Sequence, residues 1–516
     1  MSIRGGGARG VVALGLLAVL GVATGCGHPA ASASHPAQGR PSGGTPHRTT
    51  GPGSAAAATP SPFAIRGVIE GYYGFSWSTP ATQAVLAFMG KAGMNTFVYA
   101  PKFDPYARAA WRQLYPSTQL AQLAGWVRAA QSDGVTFVYS LSPGLSITYS
   151  SPADRAALEA KLNQLRGIGI HAFMLSFDDI PPQLAPADQA AYHGNLGDAQ
   201  VSLTNAVWTA ERQADPNFSL MFTPTTYDGT ASSPYLRQVA GLDSAIQVAW
   251  TGPQVLPVQI TLAEAQAYGA IIGRKPLLWL NYPVNDWTIP KAQLGTRAAQ
   301  PRVLFLGPVQ GLDPALAEGV TGVLANPMLE PYASLIPLAS VAAYLQDPAS
   351  PAAQEAAWQQ EITVLGGRAA SALRTLVAGE EPYPANSPQG YITTSGDASA
   401  DQLETALLAD YSQSGHAAVQ GAADAQLRQL FAGWVLAAPQ LGSGLPLPGL
   451  AQDLAPWAAA MAADGQAGLD ALQLLANPQD TAARTVVEAA IRQLGTAQVA
   501  FGGDLRQFLR DVVAAG

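Results

Sequence analysis

The feature of this 516-residue chain that most constrains its fold is a series of eight short apolar runs separated by longer amphipathic segments. The intervening segments have apolar residues at three-to-four spacing, which is typical of helices packed on a core. The runs span residues 65–73, 95–102, 135–144, 172–180, 218–227, 245–252, 276–286 and 319–327, and the clearest helical segments span residues 79–92, 120–132, 152–165 and 189–213. Alternating strands and helices predict a parallel sheet. Eight such units match a (β/α)8 TIM barrel in number and length.

A doubly wound open sheet is the rival architecture. It usually has fewer strands and a glycine-rich phosphate loop after the first one. Here the first run leads into Glu70-Gly-Tyr-Tyr-Gly-Phe-Ser-Trp77, where aromatic side chains stand in place of a phosphate-binding loop. The α/β barrel is therefore the predicted fold.

The strand pattern stops after about Pro337, and Ala, Leu and Gln dominate the rest of the chain. Helices are predicted over residues 352–376, 401–412, 417–436, 450–475 and 480–513, with a long loop over 381–399. This pattern indicates an all-α helical bundle. The predicted domains are a (β/α)8 barrel over residues 61–337 and a helical domain over 338–516.

The N-terminal residues resemble an export signal. Arg4 and Arg9 precede an apolar run over residues 11–22, and Val22-Ala-Thr-Gly-Cys26 resembles a bacterial lipobox ending at the sole cysteine of the chain. We expect a lipoprotein-type signal peptide over residues 1–26, lipid attachment at Cys26 and an extracytoplasmic, membrane-anchored protein of the cell envelope. Ordinary secretion is the alternative. Residues 27–60 are rich in Ala, Ser, Pro and Gly and predict a disordered linker.

Several functional classes are disfavoured by composition. The net charge of -8 and the lack of a basic run argue against nucleic acid as a partner. His171, His193 and His416 are far apart and no cysteine follows Cys26, so no metal-ligand spacing occurs and no metal or cofactor is expected. A Gly-x-Ser-x-Gly nucleophile motif is also missing from the sequence.

Polar and aromatic residues follow nearly all of the predicted strands. The most informative are Asp178 and Asp179, two adjacent acids where an apolar run stops; both can face one ligand only if the strand ends there. A barrel brings the carboxyl ends of its strands to one rim. The residues expected there are Gly71, Tyr73, Lys102, Asp178, Asp179, Tyr227, Trp250, Trp279, Asn281, Asp286 and Asn326.

This set of residue types is typical of carbohydrate chemistry. Trp279 and Asn281 are two residues apart and share a strand face, so a flat apolar wall lies beside an amide, as suits an acetamido sugar. Glycosidases usually use two carboxyl groups on opposite sides of the sugar. Because the acids here are adjacent, a route in which the substrate supplies the nucleophile fits them better.

The sequence resembles glycoside hydrolase family 84, which comprises O-GlcNAcases, related bacterial β-N-acetylglucosaminidases and so-called hyaluronidases. The resemblance covers residues 65 to about 330. The matching motifs, in order, are Gly67-Val-Ile-Glu-Gly-Tyr-Tyr-Gly74, Met94-Asn-Thr-Phe-Val-Tyr-Ala-Pro-Lys102, Ser142-Pro-Gly144, Phe177-Asp-Asp-Ile180, Pro224-Thr-Thr-Tyr227, Trp250-Thr-Gly-Pro253, Trp279-Leu-Asn-Tyr-Pro-Val-Asn-Asp286 and Asn326-Pro327.

The resemblance implies a role for each matching position. Asp178 would orient the 2-acetamido group, whose oxygen attacks the anomeric carbon to form an oxazoline, and Asp179 would act as general acid and then general base. Tyr227 and Trp279 would enclose the acetamido group, with Asn281 near the reacting end. Gly71, Lys102, Asp286 and Asn326 would bind the sugar hydroxyls.

The implied function is a retaining exo-β-N-acetylglucosaminidase acting on a glycan or glycoconjugate that contains GlcNAc. The alternatives are an endo-acting hyaluronidase or chitin-type glycosidase, and a non-catalytic glycan-binding lipoprotein. Three positions depart from the family pattern: Phe103 where an acid is frequent, Ala107 where a histidine is frequent, and Leu280 where an aromatic or acidic residue is frequent. Phe103 and Ala107 put the aglycone preference or the position of Lys102 in question. Leu280 matters less, because strand alternation is expected to turn it away from Trp279 and Asn281.

Overall fold

The computed structural model describes residues 60–293, 301, 303–381, 384–387, 390–393, 398–414, 421–493 and 505–515. The predicted signal peptide with Cys26, and the predicted linker up to residue 59, lie outside these residues. Within the described ranges, no helix is both long enough and apolar enough to cross a membrane.

Eight parallel strands close into a barrel, with each strand paired to its neighbours in chain order and β1 paired to β8. The strands are β1 (Ile65–Glu70), β2 (Thr96–Tyr99), β3 (Thr136–Leu141), β4 (Ala172–Ser176), β5 (Ser219–Thr223), β6 (Gln247–Trp250), β7 (Leu277–Leu280) and β8 (Gly322–Ala325). Each lies inside one of the eight predicted runs, so the predicted (β/α)8 barrel is confirmed. The runs extend beyond the strands because their last residues form the loops of the rim.

Side chains alternate between the inside of the barrel and the layer under the helices. Along β7, Leu277 and Trp279 belong to the interior cluster, whereas Leu278 and Leu280 pack in the outer layer. Ile69 and Met174 lie in the interior cluster as well. The barrel interior is therefore a packed core, which lies beneath the rim residues and supports them.

The helices that surround the barrel are α1 (Thr79–Lys91), α2 (Ser117–Ser132), α3 (Pro152–Arg166), α4 (Pro186–Tyr192), α5 (Leu196–Ala214), α6 (Pro234–Val239), α7 (Leu262–Ile272) and α8 (Leu335–Gln346). Their starts have recognisable chemistry, such as the capping box of Thr261 and Glu264 in α7. The single helix predicted over residues 189–213 was wrong. His193 and Gly194 adopt positive φ angles of 53° and 79°, which end α4 before α5 begins.

The C-terminal helices are α9 (Pro351–Gly366), α10 (Ala370–Gly379), α11 (Ala398–Ser414), α12 (Ala422–Gly444), α13 (Pro448–Ala476), α14 (Thr481–Gln493) and α15 (Leu505–Ala515). The predicted helical domain is confirmed, with one addition. The segment predicted as a long loop contains a short antiparallel hairpin of β9 (Pro384–Ser387) and β10 (Gly390–Thr393). The helix predicted over residues 352–376 is interrupted at Gly367, whose φ is 51°. The domain boundary predicted between residues 337 and 338 falls inside α8.

The helical domain is hydrogen-bonded to the loops that follow β7 and β8. Asp453 in α13 accepts hydrogen bonds from the backbone nitrogens of Tyr332, at 2.7 Å, and Ala333, at 3.2 Å. Glu380, at the end of α10, accepts one from the backbone nitrogen of Leu304 at 3.1 Å. Since Asp286 and Asn326 lie in these two loops, the helical domain supports part of the rim.

Candidate active site

A pocket of about 230 Å³ lies at the carboxyl ends of the barrel strands. All nine residues predicted to bind or act on a sugar line it, together with seven others. The lining residues are Gly71, Tyr73, Lys102, Asp178, Asp179, Thr223, Tyr227, Thr251, Val255, Leu256, Trp279, Asn281, Val284, Asp286, Trp287 and Asn326. Residues from seven of the eight strand ends therefore converge, and only the end of β3 does not contribute.

The two adjacent acids face the same pocket because the backbone turns directly after β4. The strand ends at Ser176, and Asp179 adopts a left-handed conformation with φ of 54°. Aspartate enters this region more readily than most residues because its short polar side chain can hydrogen-bond locally. The strand end predicted at this pair is present, and the turn replaces the opposite orientations that two strand residues would have.

Asp178 is buried, with 5% of its surface exposed, and forms an ion pair with the buried Lys102 through its Oδ2 atom. Its Oδ1 atom has no hydrogen-bond partner among the described residues. The Lys102 ammonium also lies 5.4 Å from the ring centroid of Trp279. Because a buried carboxylate oxygen without a donor is costly, Oδ1 is available to a donor on a ligand.

Asp179 is exposed to the pocket and accepts hydrogen bonds on both oxygens. The Tyr227 hydroxyl donates to Oδ1 and the Tyr73 hydroxyl donates to Oδ2, each at 2.9 Å. Burial, and then the charge of Asp179, raise the pKa of both phenols well above the usual range. The two tyrosines therefore stay protonated donors that fix the orientation of the Asp179 carboxyl group.

A chain of amides connects the ends of β1, β7 and β8. The Asn326 Nδ2 atom donates to Asn281 Oδ1 at 3.0 Å, and Asn281 Nδ2 donates to the Val255 carbonyl oxygen at 3.0 Å. The backbone nitrogen of Gly71 donates to Asn326 Oδ1 at 3.2 Å. These bonds fix the amide orientations on one side of the pocket.

Gly71 is required by the packing of Trp279. A Cβ atom at position 71 would lie 2.2 Å from the Trp279 Cζ2 atom. The side chain that excludes a Cβ atom here is the Trp279 indole, and the predicted contact of Gly71 with a sugar hydroxyl stays a prediction. Trp279, which is 5% exposed, thus forms one wall of the pocket, and its indole packs against the backbone of Gly71 after β1.

Asp286 begins a short 3-10 helix after β7, and its Oδ2 atom accepts a hydrogen bond from the backbone nitrogen of Tyr73 at 2.7 Å. Enclosure of its carboxyl group raises the pKa of Asp286 to about 6, against the lowering effect of the backbone hydrogen bonds from Tyr73 and Trp287. The nearby charges of Asp179 and Lys102 have smaller, opposite effects. This carboxyl group therefore titrates closer to neutrality than an ordinary aspartate.

One residue expected at the rim lies elsewhere. Trp250 is fully buried, stacks on Tyr268 with ring centroids 5.3 Å apart and donates to the Gly229 carbonyl oxygen. Strand alternation points this indole outward under the helices, and the next residue, Thr251, lines the pocket instead.

Part of the pocket wall was not predicted from the sequence. Tyr73 was placed at the rim without a role, and Val255, Leu256 and Trp287 were not considered. Trp287 could have been predicted to line the pocket, because it directly follows Asp286, which was expected at the rim. The three departures from the family pattern lie outside the pocket. The ring centroids of Phe103 and Tyr72 are 6.2 Å apart, the Ala107 carbonyl accepts a hydrogen bond from the Ser142 nitrogen, and Leu280 packs in the outer layer.

The described part of the chain contains no group of three His, Cys, Asp or Glu residues arranged to hold a metal ion. The acids of the pocket instead have a lysine, tyrosines and backbone amides as partners.

Comparison with known proteins gives a consistent set of relatives. A sequence model of the β-N-acetylglucosaminidase family matches residues 66–378. The protein O-GlcNAcases of Rattus norvegicus and Mus musculus are each 34% identical to this chain over 285 residues. Each match covers 54% of this chain but only 29% of the mammalian protein.

Two solved structures are similar over most of the chain. An O-GlcNAc hydrolase mutant from Thermobaculum terrenum has a TM-score of 0.76 and 26% identity, covering 88% of this chain and 94% of that one. The structure of CpGH84B has a TM-score of 0.73 and 25% identity, covering 88% of this chain and 77% of that one. The similarity thus extends beyond the barrel into the helical domain.

Proposed function

Because the chain belongs to the β-N-acetylglucosaminidase family, glycoside hydrolase family 84, we propose that it hydrolyses terminal β-linked GlcNAc with retention of configuration. The observation that supports this most is that the two adjacent acids share one pocket but have different partners. Asp178 is buried against Lys102, whereas Asp179 is exposed and held by two tyrosines. Two carboxyl groups with different environments suit two different roles.

In the proposed reaction, the free Oδ1 atom of Asp178 accepts the acetamido N–H of the substrate. The acetamido oxygen then forms a bond to the anomeric carbon while the bond from that carbon to the leaving oxygen breaks. The positive charge that develops on the resulting oxazolinium is stabilised by the Asp178 carboxylate, which Lys102 holds in place. The nucleophile thus belongs to the substrate.

Asp179 supplies the proton to the leaving oxygen in this scheme. Its second oxygen continues to accept a tyrosine hydroxyl, so the carboxyl group keeps its orientation. In the second step the Asp179 carboxylate takes a proton from water, whose oxygen bonds to the anomeric carbon and opens the oxazoline. The anomeric carbon is thus attacked twice, first by the acetamido oxygen and then by water. Because each attack inverts its configuration, the net result is retention.

The remaining residues bind the sugar. We propose that Tyr227 and Trp279 enclose the acetamido group with Asn281 near the reacting end, and that Gly71, Lys102, Asp286 and Asn326 bind the hydroxyls. The pocket volume of about 230 Å³ is below the range of about 300–1,000 Å³ common for drug-sized ligands. This favours a single terminal sugar, and hence exo action, over a long polymer lying through the site.

The test is the dependence of the rate on the leaving group in Asp179→Asn. Poor leaving groups need a proton in the first step, whereas a dinitrophenyl leaving group does not. We expect kcat/KM to fall by about 100-fold or more for a GlcNAc disaccharide, within the range of general acid catalysis, and far less for dinitrophenyl β-N-acetylglucosaminide.

The matched control is Asp198→Asn, which changes an exposed aspartate on α5 outside the pocket. It should leave both rates at the wild-type level. Equal losses on both substrates in Asp179→Asn would contradict the assignment of Asp179 as the acid. Product sizes released from a long GlcNAc polymer separate exo from endo action.

We also propose that the protein is anchored to the outer face of a membrane through lipid on Cys26. The support is the lipobox-like sequence ending at this single cysteine. Cys26→Ser should move the protein from the membrane to the soluble fraction. A variant that sediments with membranes as the wild type does would exclude the anchor.

A further inference from the structure

Arg108 is a buried cation next to the proposed acid, and the reaction described above does not use it. Only 7% of its surface is exposed, and it has no carboxylate partner within 4.0 Å among the described residues. Its Nη1 atom has no hydrogen-bond partner there either. Burying a guanidinium without a counter-ion costs free energy. A position of this kind needs a compensating role.

Two contacts of the Arg108 side chain lead to Asp179. Its Nη2 atom donates to the backbone carbonyl oxygen of Asp179 at 3.1 Å. The guanidinium carbon lies 5.8 Å from the ring centroid of Tyr73, whose hydroxyl donates to Asp179 Oδ2. One side chain therefore holds both the left-handed peptide of Asp179 and the ring that orients its carboxyl group.

The segment that presents Arg108 is itself firmly held. The carboxyl group of Asp104 accepts hydrogen bonds from the hydroxyls of Tyr99, at 2.9 Å, and Tyr115, at 2.6 Å. The backbone nitrogen of Arg108 donates a hydrogen bond to the Asp104 carbonyl oxygen at 3.2 Å. The Ala107 carbonyl oxygen accepts one from the backbone nitrogen of Ser142 at 2.8 Å. A fixed loop can thus impose a position on Asp179.

We propose that Arg108 is a positioning residue for Asp179, keeping the strained turn after β4 and the Tyr73 ring in the arrangement that aims the acid at the leaving group. It does not line the pocket, so it acts through Asp179 rather than on the sugar. This inference rests on the proposed function, in which Asp179 transfers the proton.

The experiment compares Arg108→Met with Arg112→Met, each assayed on a GlcNAc disaccharide and on dinitrophenyl β-N-acetylglucosaminide. Arg112 lies in the same segment but pairs with Asp154 and Ser146, away from the acid. We expect Arg108→Met to lower kcat on the disaccharide by about 10-fold to 100-fold, the scale of a lost charged hydrogen bond. KM and the dinitrophenyl rate should change little, and Arg112→Met should leave the ratio of the two rates unchanged.

Equal losses on both substrates, or no loss on either, would overturn the proposal, because a residue that merely stabilises the fold cannot distinguish leaving groups. If Arg108→Met does not fold, Arg108→Lys serves instead. The lysine keeps the charge and one donor, so a smaller change in the same ratio is expected, and a wild-type ratio would overturn the proposal. Asp179→Asn, assayed in parallel, separates the two hypotheses. If the ratio of the disaccharide rate to the dinitrophenyl rate changes in Asp179→Asn but not in the Arg108 variant, only the positioning role is rejected. If the ratio changes in neither variant, both hypotheses are rejected.

Discussion

At the scale of single residues, the pocket gives each acid a different set of neighbours. Asp178 has a cation, Asp179 has two phenols, and Asp286 has backbone amides and an enclosure that raises its pKa to about 6. Environment rather than residue type thus determines what each carboxyl group can do.

Asp286 provides a prediction about pH. Its pKa is raised to about 6, so below that pH the carboxyl group is neutral and the proposed hydrogen bonds from two sugar hydroxyls lose their charged acceptor. We expect kcat/KM to fall as the pH drops through about 6. Asp286→Asn should lose about 10-fold to 100-fold in kcat/KM near neutrality, since a hydrogen bond to a charged group is worth about 1.5–3 kcal/mol. The fall of kcat/KM below about pH 6 should be absent from the pH profile of Asp286→Asn. If the fall persists in the variant, another group is responsible for it.

Ten of the eleven residues expected at the rim line the pocket, because a barrel brings the carboxyl ends of its strands together. The resemblance to the family then selected nine of them. The hydrogen bonds of Asp179 could not be predicted in this way. Tyr73 and Arg108 reach it through the path of the loops after β1 and β2, and periodicity does not encode that path. The raised pKa of Asp286 likewise depends on an enclosure formed by residues distant in sequence.

At the scale of elements, the strands were predictable and their ends less so. Alternation correctly predicted that Leu280 faces away from Trp279, because β7 is regular there. The same rule was not applied to Trp250, which was expected at the rim although its register points outward. The prediction of helix ends was wrong at Gly194 and Gly367, because the amphipathic spacing in the sequence continues across a glycine with positive φ.

At the scale of the whole molecule, the helical domain supports the loops that bear part of the proposed sugar site. Asn285, the residue before Asp286, donates to Glu330 at 2.8 Å and accepts from the Leu329 nitrogen at 3.1 Å. Asp453 of α13 holds the following residues, Tyr332 and Ala333. These contacts join residues far apart in the chain, so no local pattern could have predicted them.

The junction should make stability depend on pH. Burial raises the pKa of Asp453 to about 7 and of Glu330 to about 8, and the charge of Asp453 contributes to the second shift. Between the ordinary carboxyl pKa and these values the folded state binds more protons than the unfolded state. The free energy of unfolding therefore falls as the pH rises from about 4 to about 8.

Asp453→Asn should flatten this dependence, because its side-chain oxygen can still accept the two backbone hydrogen bonds but carries no charge. The measurement is Tm from about pH 5 to about pH 8, where the variant should lose less than the wild type. Asp470→Asn, on the same helix, should follow the wild-type curve. A parallel curve for Asp453→Asn would contradict the role given to this carboxyl group.

The central claim is that the acetamido oxygen of the substrate is the nucleophile. It is tested most directly with aryl β-glucosaminides whose N-acetyl group bears none, one, two or three fluorine atoms, each of which withdraws electrons from that oxygen. The proposed mechanism predicts that kcat/KM for the purified protein falls steeply with each added fluorine. A rate that is the same across the series would contradict participation by the substrate and require a nucleophile from the protein.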